Sequence, residues 1–585
     1  MKKIYLQYRK YILENFLTTM FSSFFMTSFV QIILNRNPFY WLNYAKEVNI
    51  VGFILIWILF FLGIVFIGKK KNLKKRSAWA LVLSTIVFSL SLLVNYEDLY
   101  FTAGIIFFNA IIIFYVFNNV ISIHKIKISD KLLLAIISIG FIIFTYFLAS
   151  HTIMRYQGFG ASTYDFGIFA QMFEYLAKIG RPLTTLERDG LLSHFAVHFS
   201  PIFYLFLPGY WIFRCPEYLL VIQAMFIFSG VYPIYLLAKQ KKIDNIFILL
   251  LAFIYLLYPS LTSGGFFDFH ENKFLTALLL WMVYFLESKQ KIPMIIFMFL
   301  SLMVKEDAAL YVIFIGLYKT FNDRKTMKKG LFIFLVGMIY FLLAITIIKL
   351  YGGEIMSDRY NNYFTDNSGG LFDLIKTTTL NIGFMFSQIF NQRKFEFLLW
   401  MLLPVVFIPF MNKKISNLLL LAPILVMNLM PGYVYQYSPD FQYTYGVVAL
   451  IFYIMILNVA DMKHKTQTVL LVLSFVSALY LDINLNYSKF ITYQIKNMEP
   501  HNQTRACLDI LPKDATITAT TYLTPYLSKY DEVYMYPSRH KTDYMVVDLR
   551  NNENVTLITE LENKGYYEKY NCGYVSIYFK EHANN

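Results

Sequence analysis

Cysteine occurs only three times in 585 residues, and charged residues make up just 15% of the chain. Three scattered cysteines make no metal knuckle, and neither a Gly-rich phosphate loop nor a Ser-nucleophile elbow is present. So little charge, set against 57% apolar residues and a mean hydropathy of +0.50, excludes an ordinary soluble protein of this length. Acids are scarcer than bases, 37 against 52, which leaves a net charge of +15. That surplus does not signal nucleic acid, because no recognition motif accompanies it. Its Lys and Arg fall in short loops between apolar runs, most densely at Lys69, Lys70, Lys71, Lys74, Lys75 and Arg76. Basic loops of that kind mark the cytoplasmic side of a multi-pass membrane protein.

A spanning helix needs about 20 apolar residues. The chain reads as spans near 14–34, 50–68, 77–95, 100–119, 131–150, 217–238, 246–262, 273–287, 292–304, 308–320, 330–350, 396–411, 416–431, 445–460 and 467–482. The fold class expected is all-α polytopic, with about 15 transmembrane helices. Lys2, Lys3, Arg9 and Lys10 place the N-terminus in the cytoplasm of a cell-membrane protein. The first span lacks a small-residue cleavage pattern and is read as a span. Two long outer loops cover 151–216 and 351–380, the second with Glu354, Asp358, Arg359, Asp366 and a Gly369-Gly370 break. Within the first, residues 201–213 are apolar but short and interrupted by Pro201, Pro208 and Gly209, which suits a re-entrant or interfacial piece. Residues 483–585 change character, with β-type runs at 516–520, 533–536, 544–549 and 575–579 that predict a small extracytoplasmic α/β domain. Cys507 and Cys572 both fall there, free to pair in an oxidising exterior or to remain thiols, while Cys215 reads as core. Three regions result: added helices over 1–130, a transmembrane core over 131–482 and the tail domain over 483–585.

Polar motifs punctuate the outer ends of these spans. Ionisable residues at a bilayer boundary are expensive, so a convergent set of them marks a functional site. Asp165 stands among Tyr164, Phe166, Ile168 and Phe169, which predicts a half-buried carboxylate competent as a general base; a helix cap is the plainer alternative. Asp268 follows Gly264-Gly265-Phe266-Phe267 and precedes His270 and Glu271. These acids either hold a divalent ion, with Asp165, Asp268, His198 and His270 as a ligand set for Mn²⁺ or Mg²⁺, or act as a base and orienting groups. His194 and His198, spaced i, i+4, would share a helix face, but without an intervening Glu they do not form the zinc-protease pattern. Lys305, next to Glu306 and Asp307, either pairs with these acids or meets a phosphate.

The motifs resemble a known family. Tyr164-Asp165-Phe166-Gly167-Ile168-Phe169 is similar to the Tyr-Asp-Leu-Gly-Ile-Phe motif of the membrane proteins called domain of unknown function 2079. His198-Phe199-Ser200-Pro201, Asp268-Phe269-His270, Val304-Lys305-Glu306-Asp307-Ala308-Ala309 and, in the tail, Leu511-Pro512-Lys513-Asp514-Ala515 with Leu523-Thr524-Pro525-Tyr526-Leu527-Ser528 resemble its further motifs. The likeness runs from about 150 to 550, so four of the first five spans look like an addition. That family is similar in layout to the GT-C membrane glycosyltransferases, which take sugars from polyprenyl-phosphate carriers. The resemblance implies a GT-C-like core in which Asp165 and Asp268 fill the places of the acidic residues and Lys305 that of the outer Lys. One departure is Gln442-Tyr443, where a His-Tyr pair is expected.

The leading expectation is therefore transfer of a sugar from a polyprenyl-phosphate-linked donor to a cell-envelope acceptor, among membrane lipids and without nucleic acid. Asp165, Asp268 and Glu306 are the candidate catalytic residues. Tyr164, His194, His198, His270, Glu271, Lys305, Arg155 and Arg214 are the candidate substrate-binding ones. A transporter or flippase of a lipid-linked or anionic substrate is the alternative, since broken apolar segments and intramembrane charges also suit transporters. A display protein carrying the tail domain ranks last.

Overall fold

Two of the apolar runs begin as helices where a side chain satisfies a free amide at the start. Asp98 accepts from Phe101 N at 2.6 Å to begin the helix Leu99–Asn119. Ser129 Oγ accepts from Leu132 N at 3.3 Å to begin Asp130–Gln157, which stops at Gly158. The computed structural model describes residues 2–67, 73–354, 357–365, 370–492, 498–551 and 554–580. Lys69, Lys70, Lys71, Asp366 and Gly369 lie outside them.

Among the described residues, ten helices are long and apolar enough to cross a membrane. The other expected spans are short or broken. Phe203–Ile212, Lys291–Leu302, Ala308–Asn322 and Ile415–Leu429 are apolar but fall below that length. The expected span 396–411 is a helix, Gln392–Leu402, followed by single turns at Leu403–Val405 and Ile408–Phe410. Pro404 and Pro409 explain the break, since proline lacks an amide donor and clashes with the preceding turn. Pro423 likewise separates the turns Ile415–Leu420 and Ile424–Leu429. The segment 201–213 forms the ten-residue helix Phe203–Ile212, too short to span.

The helices beside the polar motifs are short. Leu275–Glu287, Lys291–Leu302 and Ala308–Asn322 have 13, 12 and 15 residues. At about 1.5 Å per residue they reach roughly 18–23 Å, against about 30 Å of hydrocarbon. One set of ends carries Lys289, Lys291, Arg324 and Lys325; the other meets around residues 268–274 and 303–307. The polar motifs thus gather at one end of these helices and the basic residues at the other. The pair Ala308–Asn322 and Met327–Leu350 packs backbone to backbone: a Cβ at Gly316 would lie 2.5 Å from Phe334 N, and one at Gly330 2.3 Å from Thr320 N.

The first helices, Lys2–Leu34, Ile50–Ile67, Leu73–Leu93 and Leu99–Asn119, pack on one another, and the last meets His464–Thr492. There the Tyr480 hydroxyl donates to Asn109 Oδ1 at 3.2 Å. A small hairpin, β1 (Leu183–Thr184) and β2 (Leu192–Ser193), stiffens the loop after Asp130–Gln157.

The tail holds a five-stranded sheet of β3 (Ile517–Ala519), β4 (Val533–Met535), β5 (Tyr544–Asp548), β6 (Tyr567–Asn571) and β7 (Val575–Phe579), in the order β4-β3-β5-β7-β6. β3 pairs in parallel with β4 and β5, whereas β7 is antiparallel to β5 and β6. β6 escaped the sequence reading because Tyr-Glu-Lys-Tyr-Asn is an exposed edge with no apolar alternation. Cys507 and Cys572 form a disulfide across 65 residues, a closure that stabilises the tail by about 4 kcal/mol through the entropy of the unfolded chain. The sheet grips the loop that follows Asp130–Gln157. Arg550 donates to Gly158 O at 2.9 Å and Phe159 O at 2.8 Å, Gln171 Nε2 donates to Tyr530 O at 3.2 Å, and Ser538 Oγ donates to Asp189 Oδ1 at 2.6 Å. Phe159, Ile168 and Leu186 of the loop are buried in the tail's own core.

Candidate functional site

Two polar lobes meet beneath this clamped loop. The first is built on Asp268, which is 1% exposed at the end of Pro259–Phe266. Arg155, from the last turn of Asp130–Gln157, pairs with Asp268 Oδ1, while Ser162 N and Oγ both donate to Oδ2 at 3.1 Å. Three donors thus occupy the Asp268 carboxylate and pin the start of the Asp165 loop to the helix bundle. Lys273, fully buried, donates to Phe267 O at 3.1 Å and to Asp268 O. Burial pushes its ammonium down to about 7 although Asp268 and Asp165 oppose the shift.

The second lobe centres on Lys305, 1% exposed, between Lys291–Leu302 and Ala308–Asn322. Its Nζ lies 3.5 Å from Oε1 of the fully buried Glu271. Among the described residues neither this ammonium nor either Glu271 oxygen has a hydrogen-bond partner, and Asp307 Oδ1 and His194 Nε2 are in the same position. Buried polar atoms are normally satisfied, so a cluster of them marks a place built to receive polar groups. Burial opposes the charge on Lys305, but Glu271, Asp307 and Glu306 outweigh it and hold the proton. Burial raises Glu271 against the pull of Lys305, and it raises Asp307 to about 6 with help from Glu306.

His198 Nδ1 sits 2.9 Å from Glu306 Oε1, and Phe199 N donates to Glu306 Oε2 at 3.1 Å. Glu306 is thereby held by the loop. His194 Nδ1 lies 3.0 Å from Glu187 Oε2, and its ring centroid is 5.9 Å from that of His198. The two rings do meet, although a single 3₁₀ turn, His194–Ala196, replaces the helix the spacing suggested. Burial lowers both His198 and His270, and Lys305 adds to it, so both rings stay neutral. His194 moves up instead, because Glu187 beside it overcomes the burial. His270 is fixed through its amide, which donates to Gln223 Oε1 at 3.0 Å, and its Nδ1 accepts from Asn272 N at 3.3 Å.

Asp165 lies between the lobes, half-buried, in the segment Thr163–Gly167. Gln442 Nε2 donates to its Oδ2 at 3.1 Å. Burial, with Asp268 and Glu271 nearby, pushes the Asp165 carboxyl up to about 7, while Lys305 and Lys273 pull the other way. Neighbouring Tyr164 is 50% exposed and open to a ligand. Over the second lobe stands Arg359, from the turn Ser357–Tyr363 of the late outer loop, its guanidinium 5.1 Å from the ring centres of both Tyr433 and Tyr443. Its charge is felt at His198, Lys305 and Asp307.

The structure therefore gathers Asp165, Asp268, His194, His198, His270, Glu271, Lys305, Glu306 and Arg155 into one site. It does not bring Arg214 to it: Arg214 is half-exposed and pairs with Glu174 at 3.1 Å. The proposed ligand set of Asp165, Asp268, His198 and His270 also fails to form. Among the described residues no three His, Cys, Asp or Glu lie close enough to hold a metal ion, because Asp268 is engaged by Arg155 and Ser162 and His198 by Glu306. Sequence reasoning missed Gln442, Arg359 and Lys273. Gln442 was visible only as a departure from a family motif, and Arg359 as a cation beside Asp358 in the late outer loop.

Among solved structures the chain is similar to the crystal structure of ArnT from Cupriavidus metallidurans in the apo state, at 11% identity over 71% of this chain and 93% of that one, with a TM-score of 0.34. No curated protein matches it. The family model described as "Predicted membrane protein (DUF2079)" matches residues 155–571, from Arg155 of the first lobe through most of the tail sheet, and the chain belongs to that family.

Proposed function

We propose that this membrane protein is a glycosyltransferase that moves a sugar from a polyprenyl-phosphate-linked donor to a cell-envelope acceptor at the extracytoplasmic face. The observation that carries the reading is Asp165: a half-buried carboxylate pushed up to about 7, hydrogen-bonded by Gln442 and within the field of the buried Lys305 that pairs with Glu271. A base poised near the operating pH suits removal of a proton from a hydroxyl or amine. The acceptor proton passes to Asp165 as the acceptor atom bonds to the anomeric carbon. The bond from that carbon to the phosphate oxygen breaks, and its electron pair leaves with the carrier phosphate. Lys305 and Arg359 supply positive charge on that side. Arg155 and Asp268 hold the Asp165 loop in place for that step.

Purified protein in detergent, given a labelled polyprenyl-phosphate sugar and a cell-envelope glycan fraction, is expected to label the fraction and release the carrier phosphate. Because the acids act through protons, transfer persists in EDTA. A protein that moves donor across vesicles but never breaks its glycosidic bond would instead be a transporter.

Gln442 offers a finer test. Its amide favours the ionised carboxylate, so Gln442→Ala should raise the acidic limb of the kcat/KM profile by about one pH unit. An unmoved limb would reduce Gln442 to packing.

A further inference from the structure

The end of the bundle opposite the site carries a second feature. Lys291–Leu302 and Met327–Leu350 leave a groove of about 220 Å³ between them, with Met294 and Phe332 in its lining. Lys289, Lys291, Lys328 and Lys329 line the same groove. Nearby acids do not neutralise them. Glu287 is engaged by Lys241 at 2.5 Å, by Lys319 and by the Tyr453 hydroxyl at 2.8 Å. Asp323, exposed on the adjoining turn, accepts from Lys325 N at 3.0 Å. No ion pair joins any of the four lysines to a carboxylate among the described residues. The groove wall continues into helix faces that point outward, with Ile292 74% and Phe299 44% exposed, as lipid-facing residues are.

We propose that this groove binds one anionic phospholipid, its headgroup among the four lysines and an acyl chain along the apolar floor. The charge pattern selects an anion, because four ammonium groups crowd one rim without a protein counter-charge. The lining selects a lipid over a free phosphate, because Phe285, Leu286, Met294, Ile295 and Phe332 share it with the lysines. Lysine stems lie along apolar surface while their heads reach a boundary, so the same residues serve chain and headgroup. The site lies at the far ends of helices that begin at the polar lobes. A lipid wedged there would brace Lys291–Leu302 against Met327–Leu350, and Lys291–Leu302 leads directly to Lys305.

The test is competition for retention. The full chain, reconstituted in nanodiscs of equal phosphatidylglycerol and phosphatidylcholine and then extracted, is examined by native mass spectrometry. It should keep one phosphatidylglycerol in preference to phosphatidylcholine by roughly ten-fold or more, given about 1 kcal/mol for each Lys near an anionic headgroup. Lys328→Gln/Lys329→Gln should lose most of that preference, whereas Lys529→Gln in the tail should keep it. Equal retention of the two lipids by the wild-type chain overturns the proposal, whether or not the double variant folds. So does an unchanged preference in a folded double variant, or displacement of the retained lipid by inorganic phosphate.

Discussion

Replacing Asp165 by Asn should cut sugar transfer by roughly 10²–10⁴-fold, the usual contribution of a positioned base. Asn keeps the size of the side chain and an oxygen that can still accept from Gln442 Nε2, so only the proton acceptor is lost. The pH dependence gives the sign. A base works when ionised, so kcat/KM should rise as pH passes upward through about 7 in the wild-type chain, and Asp165→Asn should lose that limb. Stability moves the other way. A carboxyl whose folded pKa is raised is bound more tightly to its proton in the folded state, and its favourable contribution fades as pH rises through about 7. Above that pH the Asn variant should melt no lower than the wild type. Full transfer by a folded Asp165→Asn protein would remove this residue from the chemistry.

The long helices and the tail sheet were legible because their signals are local. Hydropathy alone fixes Ile50–Ile67, and β-branched runs between polar turns fix β5 and β7. Where Pro404, Pro409 and Pro423 interrupt apolar stretches, composition still promised spans, but the backbone could not continue through them. The site was legible as a list and not as a circuit. Spacing put His194, His198, Asp268 and Lys305 near helix ends, yet which acid is held and which is left for chemistry depends on partners over 100 residues away. Asp268 is held by Arg155 and Glu306 by His198, contacts 113 and 108 residues apart in the chain. Asp165 meets Gln442 across 277 residues, and no local pattern announces that pair.

Lys305 carries the second large effect, on the fold and on the reaction together. Removing one partner of a buried ion pair leaves the other uncompensated, so Lys305→Met should cost about 3–5 kcal/mol of stability. The loss should depend on pH. Glu271 and Asp307 already sit above the ordinary carboxylate range, Asp307 at about 6, and without Lys305 nearby both would hold protons more tightly still. As pH falls these acids become neutral, the buried charge disappears, and the melting deficit of the variant should shrink. Lys305→Met/Glu271→Gln removes both charges and should recover much of the melting temperature. Its activity separates the two roles of the lysine. If Lys305 only balances Glu271, the double variant transfers sugar like the wild type. If it meets the carrier phosphate, the loss of a charged hydrogen bond worth about 1.5–3 kcal/mol leaves the refolded double variant roughly ten-fold to a hundred-fold weaker in kcat/KM for the donor. The second outcome is expected, because among the described residues the Lys305 ammonium has no hydrogen-bond partner and lies 3.5 Å from Glu271 Oε1, which leaves its donors to a substrate.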